Sequence, residues 1–232
     1  MVPPCSRIAS VANAKNSLAT EAILEQGGTI DKYLGDAIMA FWNAPADQPD
    51  HPALACRAAL RMLEKVDRFN GSPAIADGLP RLEIGVGINT GVCTVGNFGS
   101  PRRFDYSAIG DAVNVAARLE GETKTYGVAT LLGPETAAHV PAFATLPVAR
   151  IRPRGRTEDL ETFTLVGDEE VMATQPFREL RSLHLQLRAA ESASDADAVR
   201  RLLDELMARA PARLRPLYDA LASRAMAKYG IA

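Results

Sequence analysis

Along the first two-thirds of this chain apolar and polar residues trade places over short stretches, and after Gly167 the pattern changes to helical spacing. TIDKYL (29–34) and AIMAFW (37–42) are rich in strand-forming residues and are separated by Gly35-Asp36, which predicts a hairpin. Before it, Leu18, Ala22 and Ile23 suit the last turns of a helix that Gly27-Gly28 closes. Residues 1–17, with Pro3-Pro4 and no clear period, read as irregular. The three prolines of AFWNAPADQPDHP end regularity after the hairpin, and Leu54, Ala58, Leu60, Met62, Leu63 and Val66 then mark a helix over 53–69. Residues 82–99, alternating and glycine-rich, predict two strands that meet near Asn89-Thr90-Gly91. Their glycines fit tight turns or bulges, or a close approach of backbone to a ligand or subunit.

A strand over 104–109 and a helix over 111–122 follow, the helix burying Val113, Ala116, Ala117 and Leu119. A strand near 128–132, a short helix after Pro134 and a strand near 160–165 complete an α+β domain. Beyond it, apolar positions such as Leu202, Leu203, Leu206 and Met207 predict two or three helices, broken at 192–195 and 211–216. The expected organisation is an irregular segment 1–17, a domain over 18–167 and a helical extension over 168–232. That extension is expected to cover the domain or to pair with a copy of itself, and it holds no catalytic motif.

Composition narrows the function classes. A hydrophobic content of 47% supports a well-buried core, and a net charge of −2 offers no field that would recruit nucleic acid or an acidic membrane face. The apolar runs fall short of the roughly 20 residues a membrane helix needs, and the N-terminus lacks the pattern of a secretory signal. Cys5, Cys56 and Cys93 stand at no metal-ligand spacing among apolar or small neighbours, which suits reduced thiols and a cytoplasmic setting. His51, His139 and His184 share no motif.

Two segments carry candidate chemistry. Gly35-Asp36 sets a carboxylate at a hairpin tip with Lys32 one strand away, an arrangement able to hold a metal-loaded nucleotide, although Gly-Asp is also ordinary turn chemistry. FDYSAIGDAVNVAARL (104–119) places Ser107, Asn114 and Arg118 around an apolar strand-to-helix passage. Asn114 and Arg118 stand one turn apart on one side of their helix, where a surface amide and a surface ion pair are the ordinary alternative. Asp111, just before the helical pattern, reads as an N-cap rather than a metal ligand.

Together LGDAIM with its upstream Lys32, and DYSAIGDAVNVAARL, resemble the catalytic domain of the class III nucleotidyl cyclases, most like bacterial adenylate cyclases in which the domain follows a membrane-bound sensor. The resemblance spans about 18–166 and implies a ferredoxin-like cyclase domain that lacks its usual first strand. It implies ATP as substrate, Mg2+ or Mn2+ held by Asp36, adenine read by Lys32 and Ser107, and ribose and transition-state contacts from Asn114 and Arg118. Arg154 and Arg102 match basic positions near the polyphosphate. Guanine-selective members usually carry Glu and Cys where this chain has Lys32 and Ser107. The family's first metal-binding aspartate has no counterpart before Asp31, so the resemblance implies a domain cut short at its start, with weaker metal binding. It also implies a head-to-tail homodimer in which Lys32, Ser107, Asn114 and Arg118 of one copy face Asp36 of the other. The alternative is a noncatalytic nucleotide-binding homologue that pairs with a complete cyclase.

Overall fold

The computed structural model describes residues 4–100, 103–152 and 159–230. Helix α1 (Pro4–Glu25) opens the chain, so much of the segment expected to be irregular is helical. Pro4 occupies the first helical position, where its fixed φ suits the helix and its missing N–H would have had no partner; no further proline or glycine interrupts the run. The hairpin forms as expected from β1 (Thr29–Leu34) and β2 (Ala37–Phe41), and α2 (His51–Asn70) follows. A one-turn helix α3 (Pro73–Ala76), strands β3 (Val86–Ile88), β4 (Thr94–Ser100) and β5 (Arg103–Ile109) and helix α4 (Asp111–Glu122) come next. Then come β6 (Thr130–Leu132), α5 (Pro134–His139), β7 (Ala144–Ile151) and β8 (Leu160–Gly167). The C-terminal part is helical, with α6 (Glu169–Ala173), α7 (Gln175–Ala193), α8 (Ala196–Arg209) and α9 (Arg215–Tyr229).

The protein is thus α+β with mixed sheets and a helical C-terminal part, and among the described residues the strands fall into three sheets: β1-β2, β4-β5 and the four-stranded β3-β6-β8-β7. The two strands expected to meet near Asn89 do not pair with each other. β3 runs parallel to β6, and β4 pairs antiparallel with β5.

Two compact units are present. The first comprises residues 1–84 and 89–114. In it α1 is tied to α2 by Lys65, whose Nζ lies 2.8 Å from Glu21 and 2.9 Å from Glu25, and Arg61 reaches Glu25 at 3.2 Å. The hairpin is fastened to the end of α1 where the Trp42 indole N–H donates to the Gln26 carbonyl at 2.9 Å. β1 and β2 pair antiparallel, and their register shifts between Ile30 and Lys32, so Asp31 is the extra residue of a β-bulge.

The second unit comprises residues 85–88 and 115–232. Its four-stranded sheet and the C-terminal helices share one core, with Leu131, Leu146 and Val148 beside Leu187, Leu206, Leu217 and Tyr218. The helical segment therefore covers this sheet. Helices α6, α7 and α8 begin where side chains cap them: Asp168 accepts from the Glu170 and Val171 N–H groups, Thr174 from Phe177, and Asp195 from Ala198. The breaks fall where expected, with Ser194 in the left-handed conformation after α7 and Pro211 after α8. Helix α4 has the expected bounds but a different buried side: Val115 and Leu119 are buried, whereas Ala117 is exposed. Gly87 of β3 lies against α4 so closely that a Cβ there would sit 2.1 Å from the Ala116 carbonyl. Close helix packing is the reason for that glycine.

Candidate functional site

Strand alternation would send consecutive side chains to opposite faces, yet Asp31 and Lys32 both reach Ser107 of β5. The bulge at Asp31 makes this possible by letting one strand present two neighbouring residues on the same side. The Ser107 hydroxyl donates to Asp31 Oδ2 at 2.6 Å, and the Ala108 backbone N–H donates to the same oxygen at 3.2 Å. Lys32 Nζ donates to Ser107 Oγ at 3.3 Å and makes an ion pair with Asp31 Oδ1 at 3.2 Å. That second contact lacks hydrogen-bond alignment, so Oδ1 is a buried acceptor with no hydrogen bond. The Asp31 side chain is 0% exposed and Ser107 is 5% exposed, while 42% of the Lys32 side chain remains accessible. The result is a partly exposed cation beside a nearly buried hydroxyl and a buried carboxylate.

The structure therefore brings together Lys32 and Ser107, the pair expected to read a base. Asp31 was not foreseen, because a strict two-residue period sets it away from Lys32; only the bulge reveals it. The tip of the hairpin has the expected form. Gly35 has a φ of +67°, the left-handed conformation that a two-residue hairpin loop favours and that glycine adopts without strain, and it leaves Asp36 at the tip with 70% of its side chain exposed. Asp36 Oδ2 lies 3.0 Å from Lys15 Nζ of α1. Lys15 lies in the segment expected to be irregular, and it becomes visible only once that segment is helical.

Asn114 is exposed in the second turn of α4. One turn on, Arg118 makes an ion pair with Glu122 at 2.8 Å on the surface of the same helix. Asp111 stands inside the first turn of α4 rather than at the N-cap, where its charge suits the helix dipole. Arg102 and Arg154 lie outside the described residues. His184 belongs to the helical core, with Nε2 2.6 Å from the Pro147 carbonyl and Nδ1 3.3 Å from the Tyr218 hydroxyl. Burial holds its pKa down at about 4. Cys56 and Cys93 are free thiols, and burial pushes that of Cys56 up to about 12.

As a metal ligand Asp36 is a hard oxygen donor on an accessible turn, which fits one position in the shell of Mg2+ or Mn2+. Among the described residues no cluster of three or more His, Cys, Asp or Glu side chains surrounds it. Phosphate oxygens of a bound nucleotide and water can fill other positions of that shell. No helix among the described residues is long and apolar enough to cross a membrane.

Comparison with known proteins finds relatives of the chain. The family model "Adenylate and Guanylate cyclase catalytic domain" matches residues 16–167. Adenylate cyclase 1 of Rhizobium meliloti is 37% identical over 151 residues, which cover 65% of this chain and 23% of that protein. The chain therefore spans about a quarter of the length of this curated relative. The crystal structure of the adenylyl cyclase CyaB from P. aeruginosa is 29% identical with a TM-score of 0.60, over 69% of this chain and 82% of that one. The guanylyl cyclase Cya2 is 26% identical with a TM-score of 0.61, over 72% and 83%.

Proposed function

Because the chain belongs to the adenylate and guanylate cyclase catalytic-domain family, we propose that it is an adenylate cyclase domain that converts ATP to cyclic AMP and pyrophosphate. Backbone similarity does not choose the base, since an adenylyl and a guanylyl cyclase resemble the chain almost equally. The observation that carries the choice is the 3.3 Å contact of Lys32 with Ser107. A lysine donates to the ring nitrogens of adenine, and a hydroxyl accepts from its exocyclic amine. Asp36 is the residue that would hold Mg2+ or Mn2+, and the bound ion would acidify the ribose 3′-hydroxyl and neutralise phosphate charge.

Asn114 would orient the ribose, and Arg118 would leave Glu122 to meet charge that builds up on the phosphate in the transition state. Arg102 and Arg154 would add positive charge near the polyphosphate. The active assembly is a head-to-tail homodimer in which Lys32, Ser107, Asn114 and Arg118 of one copy face Asp36 of the other. A cytoplasmic setting, where ATP is at hand and thiols such as Cys56 stay reduced, goes with this reading.

The test is incubation of the purified chain at high concentration with ATP and Mn2+ or Mg2+, which should yield cyclic AMP and pyrophosphate. One observation favours a second reading, a noncatalytic partner of a complete cyclase: Lys15 already engages the Asp36 carboxylate. ATP binding without product, together with activation of a complete cyclase on mixing, would select that reading.

A further inference from the structure

We propose that Asp31 is a specificity-determining positioning residue: by holding the hydroxyl proton of Ser107, it makes Ser107 an acceptor toward the base and so favours a 6-amino over a 6-oxo purine. The inference rests on the reading of Lys32 and Ser107 as the base-binding pair. A serine hydroxyl on its own cannot discriminate, because it rotates to donate to an oxygen as readily as it accepts from an amine. Here it is not free to choose. An ionised carboxylate only accepts, and the 2.6 Å distance from Ser107 Oγ to Asp31 Oδ2 commits the serine proton to Asp31.

The Ala108 N–H, donating to the same Oδ2, fixes the carboxylate from the other side, and the side chain is wholly buried, so water does not compete for these bonds. What Ser107 has left to offer is lone pairs. One faces the Lys32 ammonium. The other can take an N–H from the 6-amino group of adenine, whereas the 6-oxo group of guanine would meet it oxygen to oxygen. The bulge gives the device its geometry, since an unbroken strand would turn Asp31 away from Ser107.

The test compares the dissociation constants of ATP and GTP for the full chain by calorimetry, a readout that serves whether or not the chain turns over. Wild type is expected to favour ATP. Asp31→Leu removes the acceptor, frees the Ser107 proton to meet a 6-oxo group, and should shrink the ATP preference by roughly tenfold or more. Asp31→Asn keeps an amide oxygen to accept from Ser107 and Ala108, and should hold the ratio within about threefold. A residue needed only for folding would weaken both nucleotides alike and leave the ratio unmoved.

An unchanged ratio in folded Asp31→Leu overturns the inference while leaving the proposed function intact. A wild type that binds neither nucleotide, or prefers GTP, overturns both. Should Asp31→Leu not fold, a neutron structure of the wild-type chain with a non-hydrolysable ATP analogue decides. Deuterium on Ser107 Oγ directed at Asp31 supports the inference, and deuterium directed at the base overturns it.

Discussion

Arg118 has a contact in this structure and a second role only under the proposed function. In this structure its guanidinium meets Glu122 one turn away, a surface pair whose contribution to stability is small. If its task is to meet charge that appears only as the bond to the α-phosphorus changes, its loss should fall on turnover. Arg118→Ala is expected to lower kcat by roughly 10²–10³-fold with little change in KM, the range seen when a donor to transition-state charge is lost. Steady-state kinetics on a folded variant checks this. A raised KM with unaltered kcat would assign Arg118 to ground-state binding instead.

At the scale of elements, the approach of β3 to α4 leaves no room for a side chain at Gly87. A Cβ at Gly87 would meet backbone atoms, the Ala116 carbonyl oxygen at 2.1 Å and the Glu120 nitrogen at 2.4 Å, and neither can turn aside as a side-chain tip would. Gly87→Ala should therefore cost roughly 1–3 kcal/mol, read as a lower denaturant midpoint.

The elements were legible where local chemistry alone decides them. Gly35-Asp36 marked the hairpin, and Asp111 to Glu122 gave α4 its observed limits. Strand β7 was not expected, because Pro147 within it argues against a strand. It sits at the edge of its sheet and its register shifts between Pro147 and Ala149, which are the two circumstances that admit proline. The buried side of α4 was misjudged because its apolar arc is broad, running from Val115 and Leu119 through Ala112 and Ala116 to Val113 and Ala117, so the period left open which part of it is buried. Asp31 was hidden by a bulge, which depends on pairing with β2 rather than on any residue pattern. The parallel pairing of β3 with β6 joins segments far apart in sequence and leaves no local mark.

On the scale of the whole molecule, the C-terminal helices are part of the second unit's core, and His184 makes that core sensitive to acid. Its ring is fully buried and is satisfied as the neutral tautomer, with Nε2–H donating to the Pro147 carbonyl and Nδ1 accepting from the Tyr218 hydroxyl. Burial lowers its pKa from an ordinary 6.5 to about 4. Between these values the unfolded chain takes up a proton that the folded chain refuses, so stability falls as pH drops from 6.5 toward 4. At pH 5 the loss is about 2 kcal/mol. Thermal melts at pH 7 and pH 5 should show it. In His184→Gln the same acid shift should be smaller, even though that variant starts from a lower Tm.

If Lys32 and Ser107 select adenine, a competition assay between the two nucleotides reads that selection in the products. With equimolar ATP and GTP in one reaction with Mn2+, cyclic AMP is expected to exceed cyclic GMP by roughly tenfold or more. Equal amounts of the two products, or an excess of cyclic GMP, would show that Lys32 and Ser107 do not select adenine.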